Sequence, residues 1–542
     1  MKIAVSELIV RFMERLAIAR VFGMPGAHIL PVYDHLRDSA IDTVLVKHEQ
    51  AAAFMACGYA RASGRIAACV TTAGPGATNL VTGIANAYVD KLPVLVVTGE
   101  TSTYIFGKGG LQESSGEGGT LDQAALFGSI TRYCRVVERT DYLGQVLRHA
   151  AKTLLSHETG PVVLILPYNV QKELVDASLL DGIRFAPDEQ PVCRRFAATA
   201  DMARMIGAAR QPVIVAGYGC LASGAAESLR ALSAEQNLPV ATTLKAKGLV
   251  SEQSPLALGC LGITSSGRAF AHIAEHADLV IVLGAAFNER TSSLWDARLL
   301  EGKRVIQVDH DPDQLEKVFT ADLAILGDID AVLEDLRRHL GDTRRPAPTA
   351  PLPPEAPLPD HFAVVARLLD GIVERLPQGV QIFDDNIILA QAHLKVSPPH
   401  RYYPNSGISS LGQAIPGALG ARCAVDRPTF AILGDGGFQM CCMELMTAVN
   451  YRIPLNVVMI NNGSLGLIRK NQFQLYRERY IDCDFVNPDY ALLARSFGIG
   501  HWRIETPADV EQLFAQADLV AGINLIEVVW DKHVFPAYKS DR

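Results

Sequence analysis

The chain has 542 residues, of which 49% are hydrophobic and 20% are charged, and this ordinary globular composition excludes disorder over the whole chain. The 58 acidic residues outnumber the 50 basic ones and give a net charge of −8, so we predict no nucleic-acid partner. No apolar run approaches the ~20 residues needed to span a bilayer, so we expect no membrane segment.

Short apolar runs alternate with helix-length segments along the chain. The runs are rich in Val, Ile and Leu and do not alternate with polar residues, which is typical of parallel strands covered on both faces. We therefore predict an α/β protein with parallel sheets flanked by helices. The predicted strands are 43–46, 67–71, 92–98, 161–167, 212–216, 240–244, 278–283, 304–308, 429–433, 456–460 and 525–530.

Two stretches without periodicity divide these elements into three blocks of ordinary domain size. The first begins near residue 175. The second, at 343–360, is rich in proline and is expected to be an extended linker. The predicted domains are an N-terminal domain at 1–175, a central domain at 190–340 and a C-terminal domain at 361–542.

The most specific motif lies in the third block, between two predicted strands. Strand 429–433 ends in a glycine-rich turn, a helix-period segment follows, and strand 456–460 ends in an asparagine pair. The residues of the two turns are Gly434, Asp435, Gly436 and Gly437, then Asn461, Asn462, Gly463 and Ser464. This order places Asp435 and Asn462 at the carboxyl ends of neighbouring parallel strands, where ligands of open sheets bind.

The residue types at these turns suit an anion and a metal. Glycines allow close approach to the backbone, and a helix N-terminus offers unpaired N–H groups to a diphosphate. Asp435 and Asn462 supply oxygen ligands of the kind that Mg²⁺ prefers. A Gly-Asp-Gly tripeptide by itself is more often an ordinary strand-ending turn, but the complete unit favours a ligand site.

This unit resembles the thiamin-diphosphate binding motif, and the resemblance covers nearly the whole chain. It is closest to the acetohydroxyacid synthase and 2-oxo acid decarboxylase group, and it implies pyrimidine-binding, central and diphosphate-binding domains in that order. It implies that Asp435, Asn462 and the backbone carbonyl of Ser464 hold Mg²⁺, which in turn holds the cofactor diphosphate beside Gly434, Gly436 and Gly437. Because the family's cofactor lies between two subunits, a homodimer or homotetramer is expected.

The first block carries the other half of the implied site. Glu49 opens a helix, where an isolated carboxylate would be explained by the helix dipole alone. The sequence around Glu49 resembles the sequence around the family's activating glutamate. It reads His-Glu-Gln-Ala-Ala and then Gly-Tyr-Ala-Arg. Such a buried carboxyl group can share a proton with the cofactor's aminopyrimidine ring and promote loss of the thiazolium C2 proton. Asn79, in the loop after strand 67–71, is an expected cofactor contact.

Three further side chains are candidates for the site. Leu411 resembles the bulky apolar residue that supports the bent cofactor, although a leucine is equally well explained as core. His28 follows a Phe-Gly-Met-Pro-Gly stretch, and the Ala-His step resembles benzaldehyde lyase, where the histidine faces the reacting carbon. Gln112 resembles a glutamine placed near the thiazolium. Its neighbour Glu113 is not expected to be catalytic, and the alternative for this loop, with five glycines at 108–119, is a mobile, solvated segment.

The resemblance also has departures. Segment 467–472 lacks the Trp with which biosynthetic synthases favour a larger second 2-oxo acid, and 385–389 lacks the Gly-Gln-His that reaches the diphosphate. In the central block, Gly-Ile-Thr-Ser at 262–265 replaces the Gly-Met-His-Gly of FAD-binding synthases. Ala285 stands where an arginine is usual. We therefore do not expect FAD, which is non-catalytic in that family.

The sequence thus predicts a thiamin-diphosphate and Mg²⁺ dependent enzyme acting on small molecules. The preferred activity is decarboxylation of a 2-oxo acid such as pyruvate, with ligation to a second carbonyl compound, a 2-oxo acid or an aldehyde. Alternatives are an aldehyde lyase or carboligase that needs no decarboxylation, and a decarboxylase that releases an aldehyde. A non-catalytic homologue would be expected to lose Glu49 or the Asp435–Asn462 pair, and both are present.

The cysteines and the N-terminus predict a cytoplasmic protein. The ten cysteines are scattered without metal-binding spacing and are expected to be reduced thiols. The first residues read as an amphipathic helix interrupted by charges, rather than as a signal peptide.

Overall fold

The computed structural model describes residues 1–186, 195–341, 344–354, 357–405 and 407–536. They form three units, each built on a six-stranded parallel sheet flanked by helices, which confirms the predicted fold class. The described residues of the predicted linker, 344–354 and 357–359, hold neither helix nor strand.

The first unit has strands β1 (Lys2–Ala4), β2 (Arg20–Met24), β3 (Asp42–Leu45), β4 (Ala67–Thr71), β5 (Val94–Glu100), β6 (Tyr133–Val136), β7 (Val162–Pro167) and β8 (Leu174–Asp176). Its helices are α1 (Val5–Arg15), α2 (Leu30–Arg37), α3 (Glu49–Ser63), α4 (Pro75–Thr78), α5 (Val81–Val89), α6 (Gln123–Gly128), α7 (Leu143–Leu155) and α8 (Tyr168–Gln171). The sheet order is β3-β2-β4-β5-β7-β6, and β1 pairs with β8 in an antiparallel ribbon. Leu180 and Ile183, beyond the predicted end at 175, pack into the same core.

The central unit has strands β9 (Pro212–Ala216), β10 (Val240–Thr243), β11 (Ala257–Leu261), β12 (Leu279–Leu283), β13 (Arg304–Asp309) and β14 (Leu323–Leu326). Its helices are α9 (Thr199–Ala208), α10 (Tyr218–Ala222), α11 (Ala226–Gln236), α12 (Arg268–His276) and α13 (Ile329–Leu340). The order β11-β10-β9-β12-β13-β14 reverses between β9 and β12, as in doubly wound sheets.

The third unit has strands β15 (Gln381–Asp384), β16 (Arg401–Pro404), β17 (Thr429–Gly434), β18 (Leu455–Asn461), β19 (Gly500–Ile504) and β20 (Ile523–Val529). Its helices are α14 (Ala363–Arg375), α15 (Ile388–His393), α16 (Ala414–Ala424), α17 (Asp435–Cys441), α18 (Glu444–Tyr451), α19 (Gly466–Leu475), α20 (Tyr490–Phe497) and α21 (Pro507–Gln516). The order β16-β15-β17-β18-β20-β19 repeats that of the first unit. The single helix expected after the Gly-Asp-Gly-Gly turn is two helices, α17 and α18.

Every predicted strand overlaps an observed one, but several strands were not predicted. Five of these, β6, β11, β14, β16 and β19, lie at sheet edges, and in β6, β16 and β19 polar side chains interrupt the apolar run. Examples are β6, with the sequence Tyr-Cys-Arg-Val, and β16, with the sequence Arg-Tyr-Tyr-Pro.

The first and third units share one core, which positions α3. Helices α3 and α16 cross so closely that a Cβ on Gly58 would lie 1.9 Å from the Gly417 carbonyl oxygen, and one on Gly420 would lie 1.9 Å from that of Met55. Side chains from both units pack around this crossing. A glycine is therefore required on each helix, since any side chain would force the helices apart.

Buried polar contacts hold the central unit against the other two. The ammonium group of Lys245 lies 2.6 Å from the Asp90 carboxylate of the first unit. Glu252 pairs with buried Lys247 at 2.9 Å and accepts the backbone N–H of Val396, in the third unit, at 2.7 Å. No helix of the described chain is both long and apolar enough to cross a membrane.

Candidate functional site

The predicted site residues lie where strands of the first and third sheets end. In each sheet the strand order reverses beside the first strand of that sheet, β2 or β15, which creates a ligand crevice at the carboxyl ends of the strands. His28 follows β2, Glu49 follows β3, Asp435 follows β17 and Asn462 follows β18. Both sheets thus present their candidate residues at the edge expected for ligand binding.

Asp435 is the centre of the group in the third unit. Its side chain is fully buried, and Oδ2 accepts the backbone N–H groups of Asn462 and Gly463 at 2.9 and 2.6 Å. The Asn487 amide donates to the same oxygen at 2.7 Å, while Oδ1 accepts the N–H of Gly436 at 2.9 Å. Burial raises the pKa of the Asp435 carboxyl, although these donors act in the opposite direction. Asn487 was not predicted, because it lies 23 residues after Ser464, in the loop that follows α19.

The oxygen atoms near Asp435 suit a cation that is shared with a phosphate group. Asn462 Oδ1 accepts the N–H of Ser464 at 3.1 Å, so these two residues lie in one turn, whose backbone N–H groups bond to Asp435. The described residues hold no cluster of three or more His, Cys, Asp or Glu side chains able to bind a metal. One carboxylate with amide and backbone oxygens fits Mg²⁺, which commonly combines one or two carboxylates with substrate phosphates.

Of the three glycines in the turn, only Gly434 leaves open space beside this group. A Cβ at Gly434 would meet no atom within 4 Å, whereas one at Gly437 would lie 3.7 Å from the backbone nitrogen of Gly412. The segment carrying Leu411 therefore lies against the turn. Leu411 is 36% exposed, so the alternative that it is a core side chain does not hold.

Asp385 fixes the backbone next to Leu411 and was not predicted to do so. Its Oδ2 accepts the N–H of Gly412 at 2.6 Å, and its Oδ1 accepts the Asn405 amide at 3.0 Å. Burial, together with the neighbouring Asp384 carboxylate, raises the pKa of Asp385 to about 8, although the backbone N–H donors act in the opposite direction. The sequence offers one signal for this role, the Asp384-Asp385 pair at the end of β15, but β15 itself was not predicted.

Glu49 and Asn79 meet in the first unit. Glu49 is the first residue of α3 and is buried, and its Oε2 accepts the Asn79 amide at 2.9 Å. Asn79 ends the short helix α4, which follows the glycine-rich loop after β4. The structure thus places together two residues that the motifs assigned to one site.

His28 and Gln112 also meet, through Thr72. The Thr72 hydroxyl accepts the backbone N–H of His28 at 3.3 Å and donates to Gln112 Oε1 at 3.4 Å. The same Oε1 lies 3.2 Å from His28 Nδ1. Because Oε1 can only accept, Nδ1 carries the proton in this arrangement, and Nε2 is left as a hydrogen-bond acceptor.

The loop that carries Gln112 is anchored rather than mobile, contrary to the alternative expected from its glycines. The buried Glu113 carboxylate accepts the N–H groups of Gly107 and Gly110 at 2.5 and 2.8 Å. Glu100, at the end of β5, accepts the N–H of Ser114 at 3.0 Å. These bonds hold Gln112 at a φ of +55°, a conformation that costs a non-glycine residue roughly 1–2 kcal/mol.

Within the described chain, no hydrogen bond joins the Asp435 group to the Glu49–Asn79 or His28–Gln112 pairs. The first group belongs to the third unit and the two pairs belong to the first unit. A ligand that uses both sets of residues must lie between two such units.

Comparison with known proteins matches one family model to each of the three units. Residues 3–125 match the thiamine pyrophosphate enzyme N-terminal TPP binding domain, 199–336 match the central domain of these enzymes, and 386–528 match their C-terminal TPP binding domain.

Several acetolactate synthases are similar over nearly their whole length. The probable acetolactate synthase large subunit of Methanocaldococcus jannaschii is 31% identical over 97% of this chain and 92% of that protein. The acetolactate synthase of Mycobacterium bovis is 33% identical over 97% and 87%, respectively. The isozyme 2 large subunit of Escherichia coli is 31% identical over 93% and 92%. The chain therefore belongs to the thiamine pyrophosphate enzymes.

Proposed function

We propose that this enzyme decarboxylates a 2-oxo acid of the pyruvate class and ligates the remaining fragment to a second carbonyl compound, as its acetolactate synthase relatives are named to do. The observation that carries the proposal is the joint presence of the buried Glu49–Asn79 pair and the Asp435 group. A non-catalytic relative would be expected to have lost the Glu49–Asn79 pair or the Asp435 group.

Thiamin diphosphate, when bound, supplies the carbon nucleophile and the electron sink for this reaction. We assign Asp435, Asn462 and the Ser464 carbonyl to Mg²⁺, and the glycines of the turn to the diphosphate. The single buried carboxylate and the space beside Gly434 support this assignment. Leu411, exposed beside the turn, would contact the cofactor's apolar surface.

Glu49 is proposed to exchange a proton with the cofactor's aminopyrimidine ring. The Asn79 amide holds Oε2 at 2.9 Å, which orients the carboxyl group and leaves Oε1 for the proton. The Glu49–Asn79 pair and the Asp435 group belong to different units, and no hydrogen bond joins them within the described chain. We therefore propose a homodimer or a homotetramer built from such dimers. We propose that it acts in the cytoplasm.

His28 is proposed to move a proton at the substrate oxygen. The Gln112 contact fixes the proton on Nδ1, so Nε2 can accept a proton from a hydroxyl group and return it. The same arrangement favours a second candidate function, an aldehyde lyase or carboligase, because bond formation between two carbonyl compounds also needs this proton transfer. Simple release of an aldehyde is a third outcome.

Substrate screening tests the proposed function. Purified protein with Mg²⁺ and thiamin diphosphate is given pyruvate and longer 2-oxo acids, each alone and with an acceptor aldehyde. We expect CO₂ release from pyruvate together with a ligated hydroxy-oxo product. Ligation of aldehydes without CO₂ would favour the lyase, and free aldehyde would favour the simple decarboxylase. Absence of turnover with every compound would contradict all three.

We expect His28→Ala to separate decarboxylation from ligation. Loss of CO₂ needs no proton from this side chain, so single-turnover CO₂ formation should stay close to the unsubstituted rate. Ligated product should form about 10²-fold or more slowly, which is the usual contribution of a general acid–base group. Rapid-quench CO₂ measurement beside steady-state product analysis decides this. Equal losses in both would show that His28 serves the structure rather than proton transfer.

We propose that the enzyme works without flavin. Residues 262–265 and Ala285 depart from the stretches that FAD-binding synthases carry at these positions. The Ile263 N–H donates to the Arg290 carbonyl at 2.9 Å, which joins the altered 262–265 stretch to the following loop. Purified protein should therefore show no flavin absorbance near about 450 nm, a band that belongs to the cofactor's ring. A yellow protein with stoichiometric flavin would contradict this.

A further inference from the structure

A carboxylate of the third unit holds the backbone that leads into Glu49. Glu444 is the first residue of α18 and is 2% exposed. Its Oε1 accepts the N–H groups of Lys47 and His48, at 2.9 and 3.1 Å, and its Oε2 accepts the Thr447 hydroxyl at 2.7 Å. Both carboxylate oxygens are therefore used, and the two backbone bonds end on the residues immediately before Glu49.

The other end of the same helix makes a similar bond. The hydroxyl oxygen of Tyr451, the last residue of α18, accepts the N–H of Leu45 at 2.8 Å. Three backbone donors within segment 45–48 thus reach side chains of α18, although segment and helix are nearly 400 residues apart in sequence, 397 for Lys47 and Glu444. Each of these bonds crosses from the first unit to the third.

The location of α18 gives these bonds a specific effect. Helix α17 begins at Asp435, within the turn that we assign to the diphosphate. Only two residues separate the end of α17 from the start of α18, so Glu444 lies close in sequence to that turn. A buried carboxylate is costly unless it is fully hydrogen-bonded, and an apolar side chain would fill this space without that cost. Its two backbone donors, Lys47 and His48, instead set the position of segment 45–48, and therefore the start of α3.

We propose that Glu444 is a positioning residue that sets the place of the activating carboxylate Glu49 by holding the backbone of Lys47 and His48. This inference rests on the proposed function of Glu49. Glu444 contacts backbone groups and Thr447, not the reacting atoms. The alternative is that Glu444 only joins two units, in which case its loss would lower stability and leave the action of Glu49 unchanged.

Three variants separate these roles. Glu444→Ala removes the acceptor, and Glu444→Asp keeps the charge but withdraws it by about 1.5 Å, the length of one C–C bond. Glu444→Gln keeps an oxygen that can accept both N–H groups and is the rescue variant. The matched control is Lys245→Ala, which breaks an inter-unit bond to Asp90 and does not touch segment 45–48.

The first measurement uses the protein without cofactor. Amide hydrogen exchange, followed by mass spectrometry of peptides that cover 45–50, reports the bonds directly. We expect Glu444→Ala and Glu444→Asp to exchange these amides at least about 10-fold faster, which corresponds to the net loss of one ordinary hydrogen bond, and the control to leave them unchanged. Unchanged exchange in both Glu444 variants would overturn the proposal.

The second measurement uses the holoenzyme with saturating thiamin diphosphate and Mg²⁺. Exchange of the cofactor's C2 proton with D₂O, quenched with acid and read by NMR, reports the action of Glu49 without any substrate. We expect about 10- to 100-fold slower exchange in Glu444→Asp, the size usual for partners that orient a functional group, and near-complete rescue in Glu444→Gln. The control should match the unsubstituted enzyme.

The outcomes are distinct from those that test the proposed function. Faster amide exchange with unchanged C2 exchange would make Glu444 a structural contact only and would overturn the positioning role. Failure of the proposed function would instead appear in the unsubstituted protein, as lack of cofactor binding, or as C2 exchange that does not depend on Glu49.

Discussion

Replacing Glu49 by Gln is expected to slow turnover by about 10²- to 10⁴-fold, the range of general acid–base contributions. Gln keeps the shape of the side chain, and it retains an oxygen able to accept the Asn79 amide, which lies 2.9 Å from Glu49 Oε2. It cannot exchange a proton with the cofactor. The loss should therefore fall on the rate, and cofactor affinity should change far less.

Steady-state kinetics with pyruvate at saturating thiamin diphosphate and Mg²⁺ measure the rate, and a fluorescence titration of the cofactor measures its affinity. Glu14→Gln, an exposed carboxylate in the same unit, is the matched control and should behave as the unsubstituted enzyme. Turnover of Glu49→Gln near the unsubstituted rate would remove the central residue from the proposed mechanism.

Replacing Asp435 by Ala is expected to abolish retention of the cofactor. The carboxylate is the only charged group among the three proposed Mg²⁺ ligands, and it also accepts the N–H groups of Asn462 and Gly463 at 2.9 and 2.6 Å. Partners that merely orient a metal ligand are worth about 10–100-fold in affinity, so loss of the ligand itself should exceed about 100-fold. The unpaired N–H groups should also lower stability by about 1–3 kcal/mol.

Equilibrium dialysis of thiamin diphosphate with Mg²⁺ measures retention, and thermal unfolding of the cofactor-free protein shows whether the variant is folded. Asp426→Ala, whose side chain is 93% exposed, is the control for loss of a carboxylate in the same unit. In the unsubstituted enzyme, EDTA and dialysis should remove activity, and Mg²⁺ with thiamin diphosphate should restore it. Activity of dialysed protein without either addition would refute the metal assignment.

The sequence by itself determined the fold class, most of the interior strands and the family, although it missed the interior strands β2 and β15. Continuous apolar runs such as 429–433 identify strands covered on both faces, because a strand that is buried on both faces needs an apolar side chain at every position. The Gly-Asp-Gly-Gly turn and the Glu49 motif are local as well, since turn geometry and helix starts depend on neighbouring residues. For that reason the positions of Asp435, Asn462 and Glu49 at strand ends could be predicted without coordinates.

Only the tertiary structure decided which distant side chains meet. His28 and Gln112 are 84 residues apart and are joined through Thr72, and Glu444 reaches Lys47 across 397 residues. The tertiary structure also showed that Glu113 anchors the glycine-rich loop. The sequence could not show this, since it contains the glycines but does not identify the acceptors of their N–H groups. Such contacts depend on strand order and on the α3–α16 crossing, and many strand orders satisfy the same pattern of apolar runs.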